Sequence, residues 1–392
     1  MKRNTINILT QANVFTAIAV LYTIRTYLEI PSFVSRIIYF LFFLFSMYFF
    51  IKTVAEYYRY PLVKSLTVLV VLFEFYGFLL ILSPPDQTWR RICVPYQFLN
   101  DFMESLLPIF SFVYFSMKNI INSKWVTVWT FVFIGAAIIK YMGMQAETMT
   151  AILSGEEDIR RNAGYVIVAL IPCLPFFRNK ILKYFLWVVT LMAIIFSVKR
   201  GAVVISTLAF LFFLWNEISG GRKQNKIWVF VLAGAALLVL VNYIQNLLES
   251  SDFLNARIEA TLEGDSSERG TIYKNYFDFF YNESNTLKLL LGHGAYATLH
   301  YLGLMAHNDW LEIGIDMGLF SLGIYISFWV RLWKTAGKSK SRCPNEVYMS
   351  LLLFAVLYMG KSLFSMSIMA LSIFSIVPFG YCIGQYYKAE RK

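Results

Sequence analysis

The residues best suited to chemistry lie in one polar stretch of an otherwise apolar chain. It holds every histidine of the 392 residues, His293, His300 and His307. Histidine titrates nearest neutral pH and therefore suits proton transfer. Asn308 or Asp309 can cap a helix that starts at about 308, and Asp309 with Glu312 resembles a capping box. The helix dipole disfavours protonation of an imidazole at that helix end, so the pattern predicts His307 as a general base.

The even spacing of the histidines raises a zinc site as an alternative. Successive histidines are seven positions apart, so a continuous helix would put all three side chains on one face. However, glycines at 292, 294 and 303 interrupt such a helix, and no His-Glu-x-x-His spacing is present. We therefore predict no metal ligands, and we expect His293 and His300 to make ordinary loop hydrogen bonds.

Arginines provide the second chemical signal. Lys199 and Arg200 lie in a tight turn between two apolar runs, and Arg269 follows Glu268 in a long polar loop that also holds Arg257. Arginine binds phosphate through two parallel hydrogen bonds, and a helix N-terminus adds backbone donors. Arg200, Arg269 and Arg257, supported by Lys199, are thus candidates for binding a phosphate-bearing substrate. The alternatives are an ion pair with an acid such as Glu268, or a side chain that reaches the membrane interface.

The composition predicts an all-α polytopic membrane protein as the scaffold for these residues. The chain is 58% hydrophobic and only 15% charged, against about 25% charged residues in soluble domains. Apolar runs long enough to span a bilayer as helices recur throughout. We predict about twelve transmembrane helices, at 6–24, 37–51, 62–82, 98–117, 125–144, 163–177, 181–197, 201–216, 227–248, 308–330, 347–364 and 366–386.

The distribution of charge predicts the orientation of these spans. With both termini inside, 21 of the 35 lysines and arginines fall in cytoplasmic segments, together with only four acids. This bias marks cytoplasmic loops, and it explains the net charge of +11 without nucleic-acid binding. The chain then divides into nine spans over 1–248, a large outer loop over 249–307, and three spans with a cytoplasmic tail over 308–392.

Local patterns add three expectations. Apolar residues between 271 and 281 form a helical stripe, which indicates an amphipathic helix lying on the membrane surface near a lipid substrate or packed on the membrane domain. Gly314 and Gly318 form a GxxxG pair that would let another helix approach closely. Ionisable residues within the spans are costly and often functional. Glu74, Asp101, Glu104 and Lys140 are such residues, and Lys140 can pair with one of the three acids.

Three motifs together resemble the O-antigen polymerase and O-antigen ligase superfamily of bacterial inner-membrane glycosyltransferases. They are Ser197-x-x-Arg200-Gly201 before a mid-chain span, Arg269 followed by Gly292-x-Gly294, and His307-Asn308-x-x-Leu311-Glu312. The ligase pattern of His-Asn, nine residues and Gly-x-x-Gly-Thr is met at Gly318, but Ser321 and Leu322 replace its last two residues. The polymerase pattern of Arg, ten residues and Gly is not met after Arg257 or Arg269.

The resemblance implies a GT-C-like, inverting and metal-independent glycosyltransferase without a cofactor. Its donor and acceptor would be undecaprenyl-diphosphate-linked oligosaccharides at the periplasmic face of the inner membrane. His307 would be the base, Arg200, Arg269 and Arg257 would bind the diphosphate, and Lys199, Asn308, Asp309 and Glu312 would support them. We favour a polymerase, with membrane lipid and a chain-length regulator protein as partners. The alternatives are a ligase that transfers the glycan to lipid A core and a flippase for lipid-linked sugars.

Overall fold

Helices make up the regular structure throughout the part of the chain that the computed structural model describes. That part comprises residues 2–82, 95–153, 163–197, 199–220, 234, 269–282, 285–303, 305–365 and 370–391. The α-helices are α1 (Lys2–Ile24), α2 (Ser32–Tyr57), α3 (Pro61–Leu82), α4 (Pro95–Met117), α5 (Ser123–Leu153), α6 (Ala163–Val168), α7 (Lys180–Phe196), α8 (Arg200–Gly220), α9 (Arg269–Asn282), α10 (Thr286–Leu291), α11 (Ala297–Leu302), α12 (Asp309–Arg342), α13 (Asn345–Phe364) and α14 (Ile373–Glu390). Short 3₁₀ helices cover Arg25–Leu28 and Ile171–Phe176.

The helices agree with a multi-pass membrane protein, and six of those in the described part of the chain are long and apolar enough to cross a bilayer: α2, α3, α5, α8, α12 and α13. The expected span 227–248, apart from Gly234, and residues 249–268 lie outside the described residues. The expected span 163–177 is present as a short apolar segment, Ala163–Phe176, in which the six-residue α6 is followed by a 3₁₀ turn. Pro172 and Pro175 lie in that turn and lack the N–H that would extend an α-helix.

The described contacts lie at two opposite ends of the helix bundle, and the charge bias predicts that these ends face opposite sides of the membrane. At one end, Lys118 pairs with Glu56 at 2.6 Å and Arg342 pairs with Glu390 at 3.2 Å. All four belong to segments predicted to be cytoplasmic. At the other end, the Tyr76 hydroxyl donates to the carbonyls of Leu291 and Met317, which joins α3 to the loop. We call this second end the loop end of the bundle.

A break in α12 shapes the loop end. Gly318 has a φ of 76° and a ψ of 175°, outside the helical region, so residues 309–317 form a separate helical segment. A helix end leaves carbonyl groups without helical partners. Here the backbone N–H groups of His293 and Gly294 donate to the carbonyls of Ile315 (2.9 Å) and Asp316 (2.8 Å). The break therefore creates the surface on which the loop docks.

The close approach expected at Gly314 and Gly318 occurs at the second glycine. At Gly318 the close neighbour is the end of helix α10, since an added Cβ would lie 2.3 Å from the carbonyl oxygen of Leu290. At Gly314 an added Cβ would meet only Leu322, at 3.7 Å, among the residues that the structure describes. Gly318 therefore allows both a positive φ and the approach of α10.

The amphipathic helix expected at 271–281 is present as α9. Its Tyr276 is buried against Ala306 and Ile315, whereas Phe277 is 60% exposed and Tyr281 is 84% exposed. One face of α9 thus packs on the membrane domain, as one interpretation expected. The exposed aromatic side chains on α9 suit contact with a membrane surface, as the other interpretation expected.

The predicted orientation can be tested by labelling single cysteines in a chain without its natural ones. Lys288 and Lys340 are exposed at opposite ends of the bundle. We expect a membrane-impermeant maleimide applied from the periplasmic side to label Lys288→Cys and to leave Lys340→Cys unlabelled until the inner membrane is opened. The reverse pattern would invert the topology.

Substitution at Gly318 tests the role of the helix break. Gly318→Ala introduces a Cβ that collides with backbone and forces a positive φ on alanine, a conformation that costs roughly 1–3 kcal/mol. We expect a lower melting temperature of the detergent-solubilised protein. Gly314→Ala in the same helix is the matched control and should melt like the native protein. Equal melting of both variants would contradict the proposed constraint.

Candidate functional site

The site is built by a loop that wraps the first segment of α12. Gly292 ends α10 with a φ of 80°, and an added Cβ there would lie 2.3 Å from the carbonyl oxygen of Asp316. Only glycine allows this approach of two backbones. From this point the chain continues through α11 and returns to the start of α12 at 308. The loop residues 292–307 are therefore fixed at their beginning by direct backbone contact with α12.

Two buried carboxylates on α12 hold the rest of the loop. Asp316 accepts hydrogen bonds from the backbone N–H groups of Tyr296 and Thr298, both at 3.0 Å. Glu312, one helical turn earlier, accepts from the Thr298 hydroxyl and from the backbone N–H of Ala306. A buried carboxylate is tolerated only when such donors replace water. The two acids thus secure both the middle and the end of the loop.

This arrangement corrects the expected capping box. Asn308 is the N-cap of α12, and its side-chain oxygen accepts from the backbone N–H groups of Trp310 (2.9 Å) and Leu311 (3.3 Å). Asp309 is inside the helix, where its carboxylate accepts from the Tyr325 hydroxyl at 2.8 Å. Glu312 reaches back to Ala306 rather than to the capping residue. The start of α12 was correctly predicted, but Glu312 accepts a hydrogen bond from the loop instead of capping the helix.

His307 lies between these two fixed points. Its neighbours Ala306 and Asn308 are held by Glu312 and by the cap, and its backbone has a φ of 51°. This left-handed backbone conformation costs free energy in a residue other than glycine, so the contacts of the neighbouring residues must stabilise it. The residue is nevertheless exposed. The structure therefore holds His307 at an open surface beside the N-terminus of α12.

The other two histidines both contact Tyr301 but belong to different segments of the loop. The ring of His293 is tilted against Phe279 and edge-on to Tyr301, with ring centroids 4.8 and 5.9 Å away. His300 is in α11, and its ring lies 4.6 Å from that of Tyr301. Within the described ranges, no three histidine, cysteine, aspartate or glutamate side chains form a group that could hold a metal ion. The histidines thus occupy three different structural settings.

The last turn of α13 is the meeting point of the site. The carbonyl oxygen of Leu363 accepts from the Asn308 amide at 3.4 Å and from the Tyr273 hydroxyl at 3.3 Å. The Ser362 hydroxyl accepts from the Trp310 indole at 2.9 Å. The first turns of α9 and α12 therefore converge on α13. Arg269, the first residue of α9, is four residues from Tyr273, which is about 6 Å along a helix.

The turn that precedes α8 approaches the same place. Arg200 is the first residue of α8, and Lys199 has its ammonium 5.9 Å from the ring centroid of Tyr165. α8 packs against α13, since a Cβ added at Gly360 would lie 2.7 Å from Ile205. The structure thus brings together the segments that carry Arg200, Arg269 and His307. The side chains of Arg200 and Arg269, and all of Arg257, lie outside the described residues.

Sequence reasoning missed Lys361, one turn from the end of α13. Its side chain is buried, and its ammonium donates to the carbonyl of Ala370 at 3.3 Å and lies 5.1 Å from the ring centroid of Tyr165. The available signal was a lysine inside an apolar run, a costly position in a membrane protein. Lys140, which the sequence did single out, lies near both Arg25 and Glu104, and its pairing with an acid stays a prediction.

Tyr276 completes the support beneath the loop. Its burial, with Glu312 and Asp316 close by, holds the pKa of the Tyr276 phenol above its usual range. The phenol therefore stays protonated at neutral pH and cannot add a third negative charge beside the two acids. Its ring fixes α9 to the loop and to α12.

One family of known proteins is similar to part of this chain. The sequence profile of the O-antigen ligase family matches residues 184–326, less than half of the chain, from α7 into the second part of α12. The matched region contains Arg200, Arg269 and His307, whereas Lys361 lies beyond it. Among individual curated proteins, none matches the chain.

Members of the matched family are glycosyltransferase-like enzymes. The match covers α8, α9, the loop and the first part of α12 but not α13, and it includes all three motifs on which the resemblance rests. The similarity to the O-antigen ligase and polymerase superfamily is thereby confirmed for residues 184–326 of this membrane protein.

Proposed function

We propose that the protein is a surface-polysaccharide polymerase of the O-antigen type, which joins undecaprenyl-diphosphate-linked repeat units at the periplasmic face of the bacterial inner membrane. The observation that carries this proposal is the setting of His307. It is exposed in a left-handed backbone conformation, beside the segments that begin with Arg200 and Arg269. Strained residues other than glycine cluster at functional sites.

The reaction needs a base and a place for negative charge. The donor is the growing glycan on undecaprenyl diphosphate, and the acceptor is a sugar hydroxyl of the next lipid-linked unit. His307 takes the hydroxyl proton while the oxygen forms a bond to the anomeric carbon. The bond from that carbon to the diphosphate oxygen breaks, and the electron pair leaves with the diphosphate. Attack opposite the leaving group inverts the anomeric configuration.

The leaving diphosphate carries the developing negative charge. Arg200 and Arg269 are the first residues of α8 and α9, so each has the backbone N–H donors of a helix N-terminus beside it. Lys199 adds a further cation near Tyr165. Fixed cations in a partly enclosed site stabilise charge that forms in the transition state. This is the task that a divalent metal ion performs in other transferases.

Three neighbours of His307 act as positioning residues. Asn308 caps α12 and contacts α13, and Glu312 holds the backbone of Ala306. Asp309 is held by Tyr325 within the first turn, where a negative charge is favourable. They fix the direction of the imidazole toward the acceptor without contacting it themselves.

A ligase is the second candidate, and Gly318 favours it. The spacing from His307-Asn308 to Gly318 is that of the ligase pattern, and Gly318 has a structural task at that position. Ser321 and Leu322 replace the remaining glycine and threonine, which favours the polymerase. A flippase for lipid-linked sugars is a third candidate, but transport does not require a base.

Removal of His307 tests the enzyme and separates the candidates. In a strain that lacks its native copy, the wild-type chain should restore a glycan ladder of normal length, and His307→Ala should not. Loss of a general base typically lowers the rate about 100- to 10,000-fold. Expression and membrane insertion should be unchanged, because the residue is exposed. His300→Ala is the matched control and should have a mild effect.

The glycan carrier in the same strain distinguishes the outcomes. A polymerase defect leaves single repeat units on undecaprenyl diphosphate. A ligase defect leaves long chains there and none on lipid A core. A normal ladder from His307→Ala would remove the base from the mechanism and leave the flippase.

Chelation tests whether protein cations do the work of a metal ion. We expect purified protein in nanodiscs to retain chain extension in excess EDTA, because arginine and lysine bind the diphosphate. The measurement is product formation from lipid-linked repeat units with and without chelator. Loss of activity in EDTA with rescue by a divalent ion would overturn this part of the proposal.

A further inference from the structure

Lys361 is a costly buried charge at the loop end of the bundle. Its side chain is 6% exposed, on a helix long and apolar enough to span a membrane. Removing an ammonium from water is strongly unfavourable unless anions or acceptors replace the solvent. The hydrogen bond to the Ala370 carbonyl, at 3.3 Å, is long for an ammonium donor. The burial therefore calls for further negative charge.

The charged surroundings of Lys361 contain more cations than anions. Among described residues, Lys361 interacts electrostatically with one acid, Asp309, and with two lysines, Lys140 and Lys199. One carboxylate oxygen of Asp309 already accepts from Tyr325. Lys199 lies beside the same Tyr165 ring as Lys361, at 5.9 and 5.1 Å from its centroid. An anion between two lysines beside one ring is attracted by both of them.

Lys361 immediately precedes the contacts between α13 and the site. Ser362 and Leu363, which follow it, contact Trp310, Asn308 and Tyr273. His307 is exposed at the start of α12, whereas Lys361 is buried on a helix long and apolar enough to span a membrane. A ligand that binds both residues would extend from the membrane to the surface. A lipid-linked diphosphate has this form, with an apolar chain at one end and a sugar at the other.

We propose that Lys361, together with Lys199 beside Tyr165, binds a phosphate group of a lipid-linked diphosphate at the membrane side of the site. This rests on the proposed function and adds to it a cation that lies outside the region matched by the family profile. Lysine is a compact point charge that suits phosphate oxygens. Arg200 and Arg269 would then bind the diphosphate from the periplasmic side.

A purely structural role is the alternative. A lysine in the last turn of a helix interacts favourably with the helix dipole, and Asp309 supplies one partner. In that case Lys361 stabilises the fold and leaves ligand affinity unchanged. Stability and affinity must therefore be measured on the same variants.

The test uses the full-length protein in nanodiscs and undecaprenyl diphosphate as the probe. Lys361→Met keeps the length of the side chain and removes the charge. We expect it to weaken the dissociation constant at least about tenfold, which is the effect of losing one charge-assisted contact. Lys199→Met should weaken binding in the same direction. Because Lys199 lies in a turn, that variant tests the site even if Lys361→Met does not fold.

Two controls make the result specific. Lys183 is also largely buried, with 12% of its side chain exposed, but it pairs with Glu217 near the opposite end of the bundle. Lys183→Met should bind the probe like the wild type. His307→Ala should also bind normally, because the base does not contact the diphosphate. Inorganic diphosphate should bind much more weakly than the lipid-linked form.

Each outcome has one meaning. Normal affinity in folded Lys361→Met, with or without a lower melting temperature, overturns the inference, as does normal affinity in Lys199→Met when Lys361→Met does not fold. Equal affinity for inorganic diphosphate overturns the lipid-linked part. If Lys361→Met loses affinity while His307→Ala still extends glycans, the inference stands and the proposed reaction fails. If Lys361→Met binds normally while His307→Ala is inactive, the reverse holds.

Discussion

The geometry of the site depends on two buried acids, Glu312 and Asp316, one helical turn apart on α12. Three of the four hydrogen bonds that these carboxylates accept come from backbone N–H groups of the loop. A buried carboxylate without such donors is prohibitively costly. The loop therefore has one low-energy way to lie on α12. His307 immediately follows one of those donors, so its position is a consequence of satisfying the two acids.

The docking surface itself exists because α12 is interrupted. An intact helix would use the carbonyls of Ile315 and Asp316 internally and would offer the loop nothing to bind. The break at Gly318 releases them, and Gly292 lets the loop come close enough to reach them. Two glycines on different segments thus meet at one contact. The ligase pattern has a glycine nine residues after His-Asn, and Gly318 is that residue here. A physical reason for glycine at this position is its φ of 76°, which other residues rarely adopt.

Local sequence signals predicted local structure well. The apolar runs located the helices, the Asn308 cap marked the start of α12, and the stripe at 271–281 marked α9. The failures were those in which a distant segment decided the outcome. Nothing near Glu312 indicates that it would hold Ala306, and a GxxxG spacing does not show which of its two glycines a helix approaches. Lys361 was missed for the same reason, because its neighbours Tyr165, Lys199 and Asp309 come from three other segments.

The direction of the helices explains why this corner of the bundle suits an anion. α8 and α9 begin here with Arg200 and Arg269, and α12 begins here with Asn308 as its cap. Each N-terminus carries partial positive charge. α13 ends here with the opposite polarity, and that end contains Lys361, whose charge offsets the one helix terminus that would repel a phosphate. His307 is exposed at the start of α12, beside these helix ends.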